Sequence, residues 1–295
     1  LAVLIACRLT HTSFEVGEIL VDVTNRYPTI PQTSTIYPTA DSYDPDKPFS
    51  LAKELKYRAP PMGLKADLWK KIRHTNTHPS YVNLIQRKVE LVIAAREPSD
   101  DEIVLARQRG VEIKTLPIAR DALEFVIFWT NPVESLSIEQ VRDVYSGGIT
   151  NWADLEGQRG TIKPYRRDRN SGSEEKMKKL VMKGLATIGA QARTASGMFG
   201  PFTEITFNEG GIAYTAHYYE RYMVNKSGVK IVAINNVMPS KETIANGAYP
   251  IVTEVVVAHL SDLPKESAAA KIRDWLLTTQ GQEVVAESGY VPIKE

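Results

Sequence analysis

An α/β fold of two lobes is predicted, on three observations. Short apolar runs of strand length alternate with segments of helical periodicity over most of the chain. At 295 residues the length suggests about two domains of roughly 150 residues, each large enough to bury its own core. The composition, 43% hydrophobic and 24% charged, is that of an ordinary globular protein. Charge is balanced, 36 Lys+Arg against 35 Asp+Glu, which argues against nucleic acid or an acidic membrane as the main partner, since both call for a basic excess. No apolar run reaches the ~18 residues of a membrane-spanning helix. A single cysteine excludes an internal disulfide framework and any cysteine-based zinc site.

The elements follow in order. The opening Leu1-Ala2-Val3-Leu4-Ile5-Ala6-Cys7 is an apolar run ending in a small residue and then Cys, the pattern of a lipoprotein signal peptide. Cleavage before Cys7 would leave a lipid-carrying N-terminus, and the sequence would then be a fragment of its precursor. The alternative is a short N-terminal strand with a buried cysteine. Residues 8–26 read as a linker. Tyr27 to Pro38, Asp44 to Pro48 and His74 to Ser80 are turn-rich loops. Tyr81, Leu84 and Ile85 then recur at helical spacing, and Val89 to Ala94 reads as a buried strand. Ser99 with Glu102 forms a capping box for a helix running to Gly110, and Val111-Glu112-Ile113 begins the next strand, a βα-type parallel grammar.

The second half repeats it. Phe125 to Trp129 is a strand. Ser137 with Gln140 opens a helix that closes near Gly147, and Ser171 with Glu174 opens a long helix carrying Met177, Leu180 and Val181. Ile231 to Ile234 and Ile251 to Ala258 are strands. Ala268 to Ser288 is a helical C-terminus ended by Gly289.

Chemistry concentrates at Tyr165-Arg166-Arg167-Asp168-Arg169-Asn170-Ser171-Gly172-Ser173-Glu174. Three arginines precede a Ser-Gly-Ser that opens a helix. A helix N-terminus presents unpaired N–H groups and a partial positive charge. Gly172 lets backbone amides approach a ligand, the serine hydroxyls donate, and a guanidinium offers a bidentate fork. The group describes either an oxyanion site or a solvated basic loop with an ordinary cap.

On these residues the chain resembles the phosphate-binding proteins of bacterial phosphate ABC transporters, in the type II periplasmic-binding-protein superfamily. The resemblance rests on Asn131-Pro132-Val133, on Leu136 to Gly147 with Ile149-Thr150-Asn151-Trp152, and on Arg167 to Ser173. Gly210 to Tyr214, Tyr249-Pro250-Ile251 and Ser288 to Ile293 also fit. It spans about Tyr27 to Ile293.

The resemblance implies two lobes, each a mixed, mostly parallel sheet flanked by helices, with a ligand cleft between them. It divides the chain into a signal remnant and linker (1–26), lobe I (27–119 plus 252–295) and lobe II (120–251), with crossovers near Pro117 to Asp121 and Tyr249 to Thr253. It implies phosphate binding by Arg167, Ser171, Gly172 and Ser173, with Thr33, Ser34 and Thr35 from an early loop in which Gln32 replaces the family glycine. Thr77 is the expected hydroxyl of a further loop. Where the family places a proton-accepting aspartate, this chain has Ala95-Arg96-Glu97-Pro98-Ser99; either Glu97 takes that role or Arg96 makes the site more positive. The implied protein is a monomeric solute receptor outside the cytoplasmic membrane, periplasmic or a cell-surface lipoprotein lipidated at Cys7. It would deliver inorganic phosphate to a permease without cofactor, metal, nucleic acid or enzymatic step. Alternatives are a receptor for sulfate, molybdate or tungstate, a surface phosphate sensor, or a phosphate-ester hydrolase.

Other constellations read as structural. His74 and His78 are four apart but flank loop residues and have no carboxylate nearby in sequence. His11, His217 and His259 are scattered, and no Gly-x-Ser-x-Gly nucleophile pattern appears. Tyr214, Tyr218, Tyr219 and Tyr222 read as core packing, and Asp100, Asp101 and Glu102 as charges favoured at a helix start.

Overall fold

A computed structural model of the chain describes residues 19–21, 72–169, 171–187, 193–224 and 228–293. In chain order the elements are β1 (Ile19–Val21), β2 (Ile72–His74), α1 (Thr77–Ile85), β3 (Leu91–Ala94), α2 (Asp100–Gln108), β4 (Ile113–Phe128), β5 (Ser135–Leu136) and α3 (Ile138–Ser146). There follow β6 (Lys163–Arg166), α4 (Gly172–Lys176), β7 (Arg193–Thr194), α5 (Gly200–Thr206), β8 (Gly211–Ala216), α6 (His217–Met223), β9 (Val229–Ile234) and α7 (Lys241–Ala245). The chain ends in β10 (Val252–Leu260), α8 (Ala268–Leu276), α9 (Thr279–Ser288) and β11 (Val291–Pro292). The α/β class is the predicted one. Two compact units result: unit 1 joins the described residues up to Arg120 to those from Glu254 onward, and unit 2 is Asp121–Thr253.

In unit 1, β1 lies between β2 and β3, parallel to both, with Ile19 opposite Ile72 and Leu91. The stretch read as a linker up to residue 26 therefore contains a strand. Ile19-Leu20-Val21 is a β-favouring aliphatic run that finds ladder partners on either side. On its other edge β3 pairs antiparallel with β10, Val257 opposite Ile93. The alternation of side chains sorts the core into two layers. Leu91, Ile93, Val255 and Val257 pack with Ile272, Leu276 and Val285 of α8 and α9. Val92, Ala94, Val256 and Ala258 pack with Tyr81 and Leu84 of α1. Both faces are covered, which is why Leu91-Val92-Ile93-Ala94 is apolar throughout rather than alternating.

The expected single C-terminal helix is two helices. Thr278 caps α9 by accepting from the amide of Gly281, so the chain restarts its helix there. Gly289, at φ 99°, ends α9 in the left-handed conformation that favours glycine.

In unit 2, β4 is central. It pairs antiparallel with β8, Phe125 opposite Tyr214, and with β9, Phe125 opposite Val232. Parallel pairs extend this arrangement: β6 with β8 and with β7, and β5 with β9. The capping box of Ser137 and Gln140 forms as predicted, and Gly147 at φ 84° closes α3. Val126, Tyr165, Phe202, Ile205 and Tyr219 form one core layer. Where separate strands were expected, one beginning at Val111 and one over 125–129, β4 is a single 16-residue strand. Pro117, Arg120 and Asp121 lie between them, and the strand continues past them with β11 pairing at Ala119 and Arg120 and β8 from Leu123 onward.

Candidate anion-binding site

The basic segment of unit 2 lies where β6 ends and α4 begins. Ser171 is the N-cap of α4, its Oγ accepting from the amide of Glu174 at 3.2 Å. Gly172 and Ser173 are the first two helical residues, and both are buried. The amides of a first helical turn lack intrahelical partners, so this turn presents donors. The helix runs on as a π-helical stretch, Met177–Met182.

Arg167 is buried, 5% exposed. Its Nη1 donates to the carbonyl of Gly197, and its Nη2 faces the sulfur of Met198 at 3.7 Å. Its Nε is buried with no hydrogen-bond partner among the described residues. Burial lowers the arginine's pKa, against the raising influence of Asp168, Tyr214, Tyr219 and Glu174. Asp168 holds the opposing loop: its carboxylate accepts from Ser196 Oγ and from the amide of Gly197, each at 2.9 Å.

Glu174 serves more than a cap. Its Oε1 accepts from Arg166 Nη2 at 2.6 Å, and its Oε2 accepts from the amide of Arg167 at 3.2 Å and from the Tyr214 hydroxyl. The Tyr214 oxygen in turn accepts from the Arg167 amide at 3.1 Å. The expected reciprocal capping box at Ser171 therefore does not form, because the carboxylate is already engaged by stronger, charge-assisted donors. Burial first, and Glu174 second, push the Tyr214 hydroxyl well above its ordinary pKa, so it stays protonated and able to donate.

Unit 1 holds Thr77, Arg96 and Glu97. Thr77 is the first residue of α1, and its Oγ1 is buried with no hydrogen-bond partner among the described residues. Arg96 leaves β3 and is buried. Its Nη1 and Nη2 donate to the two oxygens of Glu102, each at 2.8 Å, and Nη1 also donates to the carbonyl of Glu97. Glu102 further accepts from the Ser99 amide at 2.8 Å, the predicted capping box, and His78 Nδ1 lies 3.0 Å from its Oε1. Glu102 is thus the fully buried hub of α1, α2 and the β3 exit, a larger role than a charge at a helix start. His78 meets Glu102, a carboxylate 24 residues away in sequence. Glu97 is half-buried on the same loop. Cys7, Thr33, Ser34 and Thr35 lie outside the described residues.

Tyr214, Gly197 and the carboxylate role of Glu174 are the contributions that sequence reading missed. Each reaches Arg167 across a turn or between strands, where no periodic signal exists.

Residues 71–272 match the family model described as the PBP superfamily domain. This chain belongs to the PBP superfamily. Similar members include the phosphate-binding protein PstS of Borreliella burgdorferi, 24% identical over 219 residues, covering 72% of this chain and 75% of that one. The phosphate-binding protein PstS of Bacillus subtilis is 22% identical over 203 residues, covering 66% and 64%. A phosphate-bound substrate-binding protein structure from Clostridium perfringens superposes with a TM-score of 0.63 at 24% identity, over 76% of this chain and 87% of that one. An ABC-type phosphate transport receptor from Vibrio cholerae gives 0.59 at 21%, over 75% and 86%. The fold of the PBP superfamily is thereby shared. Among the described residues no helix is long and apolar enough to cross a membrane.

Proposed function

We propose that this PBP-superfamily chain is an extracytoplasmic receptor that captures inorganic phosphate and delivers it to an ABC-transporter permease, with no chemistry performed on the anion. The observation that carries this reading is Arg167, a buried guanidinium with an unpartnered Nε, beside the first turn of α4. In this reading Arg167 holds the anion by charge-assisted hydrogen bonds, and Ser171, Gly172 and Ser173 add hydroxyl and amide donors. Glu174, Tyr214 and Asp168 position these groups without touching the ligand. The names of the similar proteins agree with phosphate as that ligand.

Phosphate over sulfate is favoured by the state of Arg96. Its charge is met by Glu102, so it adds little net positive potential on its loop. Glu97 is then available to accept from a protonated ligand oxygen, which sulfate lacks at neutral pH. Anchoring through a lipid on Cys7 completes the proposal. Cys7→Ser in the full precursor is expected to release the protein from membranes.

Calorimetry with phosphate tests the core of the reading. Arg167→Ala should lose about 2–5 kcal/mol of binding free energy, as expected when one partner of a buried charged contact is truncated. Unchanged affinity would remove Arg167 from the site, and a wild type that ignores phosphate would remove the function.

A further inference from the structure

We propose that Glu124, His217 and Glu220 form a binding site for one divalent transition-metal ion inside unit 2. Their ligand atoms, one imidazole nitrogen and two carboxylate oxygens, all lie within 4.8 Å of one another, and all three residues are buried. Ligand atoms around one zinc ion stand about 3–4 Å apart, as bond lengths of roughly 2.0–2.2 Å require. Small side-chain rotations would close the set on an ion.

Topology makes the cluster. β8 runs into α6 with no loop between Ala216 and His217. Thr215 and Ala216 lie opposite Glu124 and Leu123 on β4. Asp121, also on β4, pins the first turn of α6: its Oδ1 accepts from the Tyr218 amide at 2.9 Å. His217 and Glu220 are three residues apart on that turn and so share a face, directed with Glu124 at one point.

Hydrogen bonding among the described residues leaves Glu124 incompletely partnered. His217 Nδ1 sits 2.9 Å from Glu124 Oε2. Glu124 Oε1, on a fully buried residue, has no hydrogen-bond partner among the described residues, and neither has the buried Asp121 Oδ2. Among the described residues, the charged groups that act on Glu124 are His217, Glu220 and Asp121. Buried carboxylates need a counter-charge, and a bound cation supplies it. One imidazole with two carboxylates suits zinc or manganese, whereas calcium takes six to eight oxygens. Burial of all three ligand residues marks the ion as structural.

Zinc alone is the probe. The full chain, stripped with chelator and dialysed, should take up one zinc per molecule by calorimetry and elemental analysis, and its melting temperature should rise with zinc concentration. Glu124→Gln and His217→Gln should each weaken zinc by at least about 100-fold, since even supporting residues of metal sites are worth 10–100-fold. X-ray absorption of the zinc-loaded wild type should show one imidazole and otherwise oxygen, a readout independent of whether the variants fold. No stoichiometric zinc, equal affinity in both variants, or a zinc spectrum with two or more imidazoles would each overturn the proposal.

Discussion

Arg96 and Glu102 meet through two parallel hydrogen bonds, Nη1 to Oε2 and Nη2 to Oε1, each 2.8 Å long, with both side chains buried. The fork matches the carboxylate in shape as well as charge. Removing one partner strands the other charge in the interior. Glu102→Gln should therefore destabilise the protein by about 3–5 kcal/mol in urea unfolding. An unmoved midpoint would show that the pair is not the hub of α1, α2 and the β3 exit.

Tyr214→Phe isolates the support beneath the candidate site. The phenol donates to Glu174 and accepts from the Arg167 amide, so its loss leaves a buried charged acceptor short of one donor. A cost of about 1.5–3 kcal/mol in stability is expected, the range for a hydrogen bond to a charged group. Phosphate affinity measured by calorimetry should fall as well, but by less than in Arg167→Ala, because the phenol acts only through the backbone of Arg167.

Gly281→Ala puts the close turn between α8 and α9 to the test. A Cβ there would stand 2.6 Å from Leu276 Cα and closer still to the carbonyl of Trp275, both backbone atoms that cannot swing aside. Alanine normally favours a helix, yet here it should destabilise by about 1–3 kcal/mol through overpacking. A thermal melt at or above wild type would contradict this.

His259 carries a pH dependence. Its Nδ1–H donates to the Leu260 carbonyl at 2.8 Å, and its Nε2 accepts from Arg273 at 3.3 Å, an arrangement that requires the neutral ring. Burial accordingly lowers its pKa below the ordinary 6.5. The unfolded chain then binds the proton more readily than the folded one. This contribution to stability is present above pH 6.5 and is lost as pH falls through the lower, folded value. Urea midpoints measured from pH 7.5 down to 5.5 should drop more steeply in wild type than in His259→Gln.

Elements whose signals are local were legible from the residues alone. The boxes at Ser99 and Ser137, the stop at Gly289 and the buried run Leu91 to Ala94 declare themselves within a few positions. Ser171 was legible as a cap accepting from the Glu174 amide, but the partners of the Glu174 carboxylate were not, because Arg166, Arg167 and Tyr214 claim it. The strand at Ile19–Val21 was hidden for a related reason. Three residues carry no periodicity, and only the ladders to β2 and β3 make them a strand. The division of Ala268 to Ser288 into two helices turns on one threonine side chain, which a continuous helical pattern masks. Glu124 and His217 are far apart in sequence, and only the pairing of β4 with β8 brings them together.

Unit 2 is one unbroken piece of chain, whereas unit 1 is assembled from two. A ribosome making this protein completes unit 2 at Thr253, while β3 still lacks its antiparallel neighbour. Most of β10 and all of α8, α9 and β11 have yet to emerge, and with them the helical side of one core layer of unit 1. Domains tend to fold as units while synthesis proceeds. The nascent chain therefore carries a finished insert on an unfinished host, whose half-built sheet has an open edge until β10 is released. Premature termination after Thr253 would spare unit 2 and leave unit 1 exposed to aggregation.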